Sequence, residues 1–340
     1  MTVSFRLATF NLENFDVLRG RESEFERRIA VLRPILRGMA ADVLCLQEVD
    51  AQKALPHGPR QFLALDRLLC ETEYQSYHRA ASVRPGSTTP ADVHNLVILS
   101  RWPIREQKQL HHDIVAKWSW TPPGEGSSPP RPIEIEWDRP LLYAKIALPG
   151  DVALHVVNLH LRAPRGVPIP NDRKNVGCVS SRAWAEGQFL AAQRREGQAL
   201  EVRLFVERLF DYEPNALIAI CGDLNSEEHD TPARLLTGTP DEDCETMSRR
   251  ALVPLGMRVE EAHRFTVVHA ERRVLIDHIL ASHPLAASCT GVVILNEGLQ
   301  DEVKAKEPVL GSLHAPVVAS FALDVETVFN AEHVVTPKES

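Results

Sequence analysis

At 340 residues the chain is long enough for one large domain or two ordinary ones. Its 44% hydrophobic and 25% charged residues exclude the disordered, collagen-like and fibrous classes. Lys and Arg number 38 against 46 Asp and Glu, a formal net charge of −8, so the overall field does not attract a polyanion and any binding of phosphate or nucleic acid has to be local.

In chain order, the first strand signal is RLATFNLE (6 to 13). EFERRIAVLRPILRGMA (24 to 40) follows, with Phe25, Ile29, Leu32 and Leu36 at helical spacing, although Pro34 argues against an unbroken helix. A strand is expected over DVLCLQE (42 to 48), a helix over FLALDRLLC (62 to 70), and strands over NLVILS (95 to 100) and LLYAKIAL (141 to 148). The Pro/Gly/Ser segment 119 to 132 reads as a loop. LHVVNLHL (154 to 161) and LIAICGDLN (217 to 225) are strand signals flanking the longest helical candidate, 183 to 210. There Phe189, Ala192, Leu200, Leu204 and Leu209 suggest an apolar stripe that Gly187 and Gly197 would interrupt. VLIDHIL (274 to 280), GVVIL (291 to 295) and HAPVVASFAL (314 to 323) complete a strand-dominated α/β or α+β pattern. A single domain over 1 to 328 with a frayed tail over 329 to 340 is expected.

The opening MTVSFRLATFNLENF lacks the apolar run of a secretory signal, and no segment approaches the roughly 18 apolar residues needed to span a bilayer, so a cytoplasmic protein is expected. The six cysteines include no C-x-x-C pair, and Cys45 and Cys221 lie in apolar runs as buried thiols rather than in a zinc site or disulfide framework.

The strand signals end in residues capable of chemistry: Asn11, Glu13, Glu48, His160, Asp223, Asn225 and Asp277, with His314 beginning the last strand. No nucleophilic Ser or Cys stands in an elbow motif. If adjacent strand ends share one edge, these groups converge on one cleft. Oxygen-rich donors favour a hard cation, Mg²⁺ or Mn²⁺, and histidines beside it can handle protons. That inventory suits hydrolysis of a phosphoester by activated water.

TFNLEN, LCLQEVD, VNLHL, CGDLNS, IDHIL and SLHAPV stand in an order that resembles the endonuclease/exonuclease/phosphatase superfamily, nearly end to end. The resemblance implies a four-layered α/β sandwich, two mostly antiparallel central sheets flanked by helices, with one active site along one edge. Carried onto this sequence, it implies Glu48 as the main metal ligand with Asn11 beside it, and Asp223 as the carboxylate that orients or deprotonates water. Asn225 would hold phosphoryl oxygens, His314 would transfer a proton with Asp277 as its partner, and His160 would bond a phosphate oxygen or protonate the leaving group. Leu313 departs from the pattern, standing where an Asp is usual and putting metal affinity, count and identity in question; His278 stands where Tyr is common and is assigned no role.

Glu13 reads as a solvated side chain, with a compensating oxygen as the other reading. Arg162, Arg165, Arg173 and Lys174 form a basic stretch that either reaches the substrate or is solvated. Arg195 and Gln198 read as structural anchors, and Trp118, Trp120, Pro122 and Pro123 as a packed loop or an aromatic lid. Asp277 has a plainer alternative as an ion-pair partner of Arg272 or Arg273. The expected activity is that of a metal-dependent phosphodiesterase or nuclease, with nucleic acid among the candidate substrates. A phosphatase or phosphodiesterase on a small or lipid-derived phosphate is the alternative, and a catalytically silent binding protein the rival of another class.

Overall fold

In a computed structural model, residues 1–17, 20–55, 57–122, 131–169, 180–238, 245–305 and 309–325 are described. The expected frayed tail, Pro123 and most of the 119 to 132 loop, and Arg173 and Lys174 of the basic stretch lie outside them.

The elements that build the architecture are β1 (Thr2–Phe15), α1 (Glu22–Met39), β2 (Val43–Val49), α2 (Leu63–Leu69), β3 (His78–Ala81), β4 (Asn95–Ser100), β5 (Ile104–Leu110), β6 (Leu141–Leu148), β7 (Val152–His160), α3 (Ser181–Tyr212), β8 (Leu217–Asp223), α4 (Thr231–Thr237), β9 (Leu252–Pro254), β10 (Asp277–Ser282), β11 (Cys289–Ile294) and β12 (Val317–Asp324). One six-stranded sheet runs β11-β12-β1-β2-β4-β3 and the other β9-β10-β8-β7-β6-β5. Only β1/β2 and β7/β8 pair in parallel; the other neighbours are antiparallel.

The inner faces of the two sheets form one core, in which Phe5, Cys45 and Phe321 meet Leu142, Val156, Cys221 and Ile279. Outside the first sheet, Ile29, Leu32 and Leu36 of α1 and Leu65 and Leu68 of α2 cover Phe10, Leu44 and Leu46. Outside the second, Val202, Phe205 and Phe210 of α3 and Leu236 of α4 cover Val157, Ile218 and Ile220. The result is the four-layered sandwich that the motifs imply. Because each sheet is covered on both faces, its central strands read as continuous apolar runs rather than alternating ones.

Several local expectations change. α1 continues through Pro34, because its stripe of Phe25, Ile29, Leu32, Leu36 and Met39 stays buried on either side of the missing hydrogen bond. α3 is likewise unbroken at Gly187 and Gly197, and its buried stripe is Ala183, Gly187, Leu190, Ala191, Ala199, Val202, Val206 and Phe210. The expected stripe lies on the other side: Phe189, Leu200 and Leu204 are exposed at 41%, 38% and 37%. Both positions are glycine for steric reasons, since a Cβ on buried Gly187 would collide with the Val167 carbonyl and one on half-buried Gly197 with the Trp137 ring. β3 and β5 were not legible as strands; β5 is an edge strand whose sequence, IREQKQL, carries the charges that blunt a sheet edge. No helix among the described residues is long and apolar enough to cross a membrane.

Replacing a helical glycine by alanine normally stabilises a protein, by about 0.4–1 kcal/mol. At Gly197 the sign should reverse, with a loss of about 1–3 kcal/mol from the overpacked Trp137 contact. Gly38→Ala in α1, where a Cβ meets nothing within 4 Å, is the control. Urea denaturation of the two variants checks this, and equal stability would show that Trp137 yields without cost.

Candidate active site

The parallel pairings fix where chemistry can gather. β1, β2, β7 and β8 all end at one edge, bringing Asn11 opposite Gln47 and His160 opposite Asp223. The antiparallel strands begin where these end, so Asp277 pairs with Asp223, and His314 lies just before β12, whose Val317 pairs with Thr9. Asn11, Glu48, His160, Asp223, Asn225, Asp277 and His314 therefore surround one cleft edge.

Backbone irregularities aim these side chains. β1 bulges between Asn11 and Phe15, with Glu13 and Asn14 at φ 54° and 46°. Arg28 of α1 holds the bulge, donating to the carbonyls of Leu12 at 2.6 Å, Asn14 at 3.1 Å and Gly311 at 3.4 Å. Its reward is an Asn14 N–H that donates to Glu48 Oε2 at 2.8 Å. Glu48 itself has φ 55° in a matching irregularity of β2. Gly222 has φ 140° and lies so close to the Leu159 carbonyl that no Cβ fits, which lets β8 deliver Asp223 beside His160.

Asn11 Nδ2 lies 3.1 Å from Asp223 Oδ2 and 3.4 Å from Glu48 Oε1, and so ties the two carboxylates together, while its Oδ1 accepts from the Glu13 N–H. Asp223 Oδ1 accepts from the Asn225 N–H at 2.8 Å in an Asx turn, and Asn225 donates its amide to the Leu161 carbonyl. His160 Nε2 is 3.3 Å from Asp223 Oδ2 and 3.7 Å from Glu48 Oε1. His314 Nδ1 is 2.9 Å from Asp277 Oδ2 and 4.0 Å from Asp223 Oδ2. Arg272 pairs with Glu227 and Arg273 lies over Phe265, so neither is the partner of Asp277.

The charges are interdependent. Burial alone would raise the Glu48 carboxyl, but neighbouring His94 and His160 and the Asn14 N–H outweigh it and hold Glu48 well below the usual carboxylate range. Asp223 is pushed up to about 7 by burial and by the Asp277 charge, against the pull of His314. Burial opposes the charge on His314, yet Asp277, then Asp223 and Glu48, raise it to about 10. His160 is driven well below the ordinary imidazole value by burial and the Arg139 charge, and is neutral at pH 7.

Glu13 is not solvated as the sequence suggested: its carboxylate accepts the Leu313 N–H at 2.7 Å, and burial raises its pKa. Leu313 is itself buried, 7% exposed. His278 donates to or accepts from the protein only, with Nε2 3.0 Å from the Ser226 carbonyl. Gln198 is an anchor, accepting from Arg162 N–H and donating to the Arg139 carbonyl. Arg162 and Arg194 are both tied to Asp138, at 2.8 and 3.0 Å. Trp118 and Trp120 pack with Ile135, Trp137 and Leu190.

Two residues of the site escaped the sequence reading, Arg139 and His94. Arg139 is half-buried just before β6 and donates to the His160 carbonyl at 3.5 Å, with the charges of Glu48 and Asp223 acting on it. His94 Nδ1 lies 3.6 Å from Glu48 Oε2. A signal existed for both: an RP and an HN dipeptide opening strands antiparallel to β7 and β2, which places them at the same edge.

A model described as the Endonuclease/Exonuclease/phosphatase family matches residues 8–301. The chain belongs to this family, whose members are generally phosphoester hydrolases and typically depend on a divalent metal. No match was found among curated proteins. Among solved structures, truncated TDP2 from Caenorhabditis elegans is similar at TM-score 0.54 and 16% identity, over 94% of this chain and 97% of that one. An endonuclease/exonuclease/phosphatase family protein from Bacteroides thetaiotaomicron reaches TM-score 0.57 at 15% identity, over 96% and 97%. A mannosyl-6-phosphatase from the same species reaches TM-score 0.57 at 13% identity, over 94% and 100%. At these identities the likeness is one of fold.

The His314–Asp277 pair has a definite pH signature in metal-free protein. A group raised from 6.5 to about 10 stabilises the fold fully below pH 6.5 and loses that contribution as pH climbs to about 10. Asp223, raised from 3.8 to about 7, acts in the separate window between those values. Melting temperature should therefore fall from near neutrality to about pH 10, and Asp277→Asn should flatten that fall. An NMR titration placing His314 near the ordinary imidazole value would contradict the pairing.

Proposed function

We propose that the chain is a divalent-metal-dependent phosphoester hydrolase, acting first on phosphodiesters such as those of nucleic acids. The observation that carries this is Asn11 joined at once to Glu48 and Asp223, with His160 Nε2 within 3.7 Å of both carboxylates. Mg²⁺ or Mn²⁺ fits a buried carboxylate held ionised: Glu48 offers its oxygens, and beside them lie two imidazole nitrogens, His160 Nε2 and a buried, unpartnered His94 Nδ1. Asp223, Asp277 and His314 also bring ligand atoms within 4.8 Å of one another, but His314 Nδ1 and Asp277 Oδ2 are engaged with each other, so Glu48, held ionised, is the better place for the cation. When bound there, the cation neutralises charge on the phosphoryl group and polarises it toward attack.

The chain's own residues supply the rest. Asp223 Oδ2 accepts the proton of the attacking water; its raised pKa makes it a competent base near neutrality. His314, protonated because Asp277 holds Nδ1, leaves Nε2 to donate to a phosphoryl oxygen and lies close enough to Asp223 to stabilise its ionised form. In-line attack puts the leaving oxygen on the far side from Asp223, inverting phosphorus. His160, neutral and buried, and the Arg139 guanidinium face the same carboxylates and orient the phosphoryl oxygens. Asn225 fixes Asp223 through its backbone N–H.

A phosphatase acting on a small phosphate is the second reading. The net charge of −8 gives no long-range attraction for a long polyanion, and two arginines flanking the site, Arg162 and Arg194, are tied to Asp138.

Hydrolysis of bis(p-nitrophenyl) phosphate and p-nitrophenyl phosphate, each with and without EDTA, tests the proposal and separates diesterase from monoesterase. Asp223→Asn should lower metal-dependent turnover by about 10²- to 10⁴-fold. Turnover that survives EDTA, or that Asp223→Asn leaves intact, would sink it.

A further inference from the structure

His94 is the one imidazole facing Glu48 to which the family motifs give no role and the catalytic steps above give no proton or phosphoryl oxygen to handle. Its backbone is in the left-handed region at φ 58°, unusual for a residue other than glycine or asparagine. The conformation is built in rather than incidental. Asp50, buried, accepts the His94 N–H at 2.7 Å and is itself held by the Phe15 carbonyl at 3.1 Å. Asn95, also buried, donates to the carbonyls of Val49 and Ala91 and accepts the Ala91 N–H, fixing the turn on the other side. Backbone strain of this kind marks positions where the side chain is needed in one place.

That place is beside Glu48. His94 Nδ1 is buried, has no hydrogen-bond partner, and lies 3.6 Å from Glu48 Oε2. Two donors bound to one ion at bond lengths of about 2.0–2.2 Å sit about 3–4 Å apart. The spacing is thus that of two ligands of one cation, and too long for the hydrogen bond that would otherwise explain the pair. His160 Nε2 lies 3.7 Å from the other Glu48 oxygen. Imidazole nitrogen favours first-row transition ions, whereas Mg²⁺ favours oxygen ligands alone.

Resting on the reading of Glu48 as the metal carboxylate, we infer that His94 is a nitrogen ligand of the same cation and makes the site select Mn²⁺ over Mg²⁺. The purified full chain should bind Mn²⁺, followed by its EPR signal, more tightly than it binds Mg²⁺, followed by competition. Electron spin-echo modulation should show a directly bound ¹⁴N. His94→Asn, which tolerates the left-handed backbone, and His94→Gly, which relieves it, should weaken Mn²⁺ by about tenfold or more, diminish the nitrogen modulation and leave Mg²⁺ affinity nearly unchanged. Metal-free melting temperatures of both variants verify that they fold. If Glu48→Gln abolishes Mn²⁺ binding while both His94 variants keep wild-type affinity and modulation, the ligand role of His94 is overturned and the reading of Glu48 stands. If Glu48→Gln binds Mn²⁺ as the wild type does, both fall.

Discussion

Everything at the cleft depends on the two sheets being locked in one relative position, and Asn158 is the lock. It belongs to β7 of one sheet, yet its Nδ2 donates to the carbonyls of Leu46 and Val97 in the other, and its Oδ1 accepts from Gln47 Nε2 at 2.7 Å. Gln47 closes the network through Thr9, and all three side chains are fully buried. An apolar interface between sheets tolerates small slides; a buried amide with every donor satisfied does not, because any slip leaves polar groups unpaired at low dielectric. Glu48 follows Gln47 by one residue and His160 follows Asn158 by two, so the distance between the Glu48 carboxylate and the His160 imidazole inherits the precision of this bridge.

The site above that bridge is a problem of charge. Glu48, Asp223 and Asp277 would repel one another if each stood alone in so dry a place. The structure answers with His314 against Asp277, Asn11 between Glu48 and Asp223, and Arg139 and two further histidines around Glu48. The positive backbone angles at Glu13, Asn14, Glu48, His94 and Asn225 cluster on this same edge. Backbone strain is thus used where side chains have to point into the cleft, while the apolar layers beneath supply the stability that tolerates it.

This division explains what was legible from sequence. Strands β4 and β6 coincide with the apolar runs that marked them, because burial on both sheet faces writes itself as uninterrupted Val, Ile and Leu; the layered architecture was legible only through the family resemblance that six motifs carry. The candidate residues were legible as polar termini of those runs. The α3 stripe was not, because a helix with nearly as many apolar residues outside as inside gives two plausible faces, and only Trp137 pressing on Gly197 decides between them. His94 and Arg139 were missed since each precedes its strand rather than ending it, and whether a strand start shares an edge with another strand's end is a property of the pairing direction, which no single run contains. Gln47 and Asn158 stood inside quoted motifs, but their task is visible only across two sheets.

Leu313 shows how a missing group can be understood from its neighbours. Its backbone N–H donates to Glu13, which the β1 bulge and Arg28 have turned inward, and Ser312 Oγ fastens the same loop to the Asn11 carbonyl at 2.7 Å. The corner thus keeps a carboxylate, supplied by β1 rather than by the loop before β12. Burial already raises the pKa of Glu13, and the charge of Glu48 raises it further. A second acid at position 313 would face Glu13 across a single hydrogen bond, in reach of charges already balanced by His314 and Arg28. A leucine there avoids that repulsion and is itself buried. Leu313 and the inward turn of Glu13 are accordingly one arrangement, joined by the Leu313 N–H at the Glu13 carboxylate.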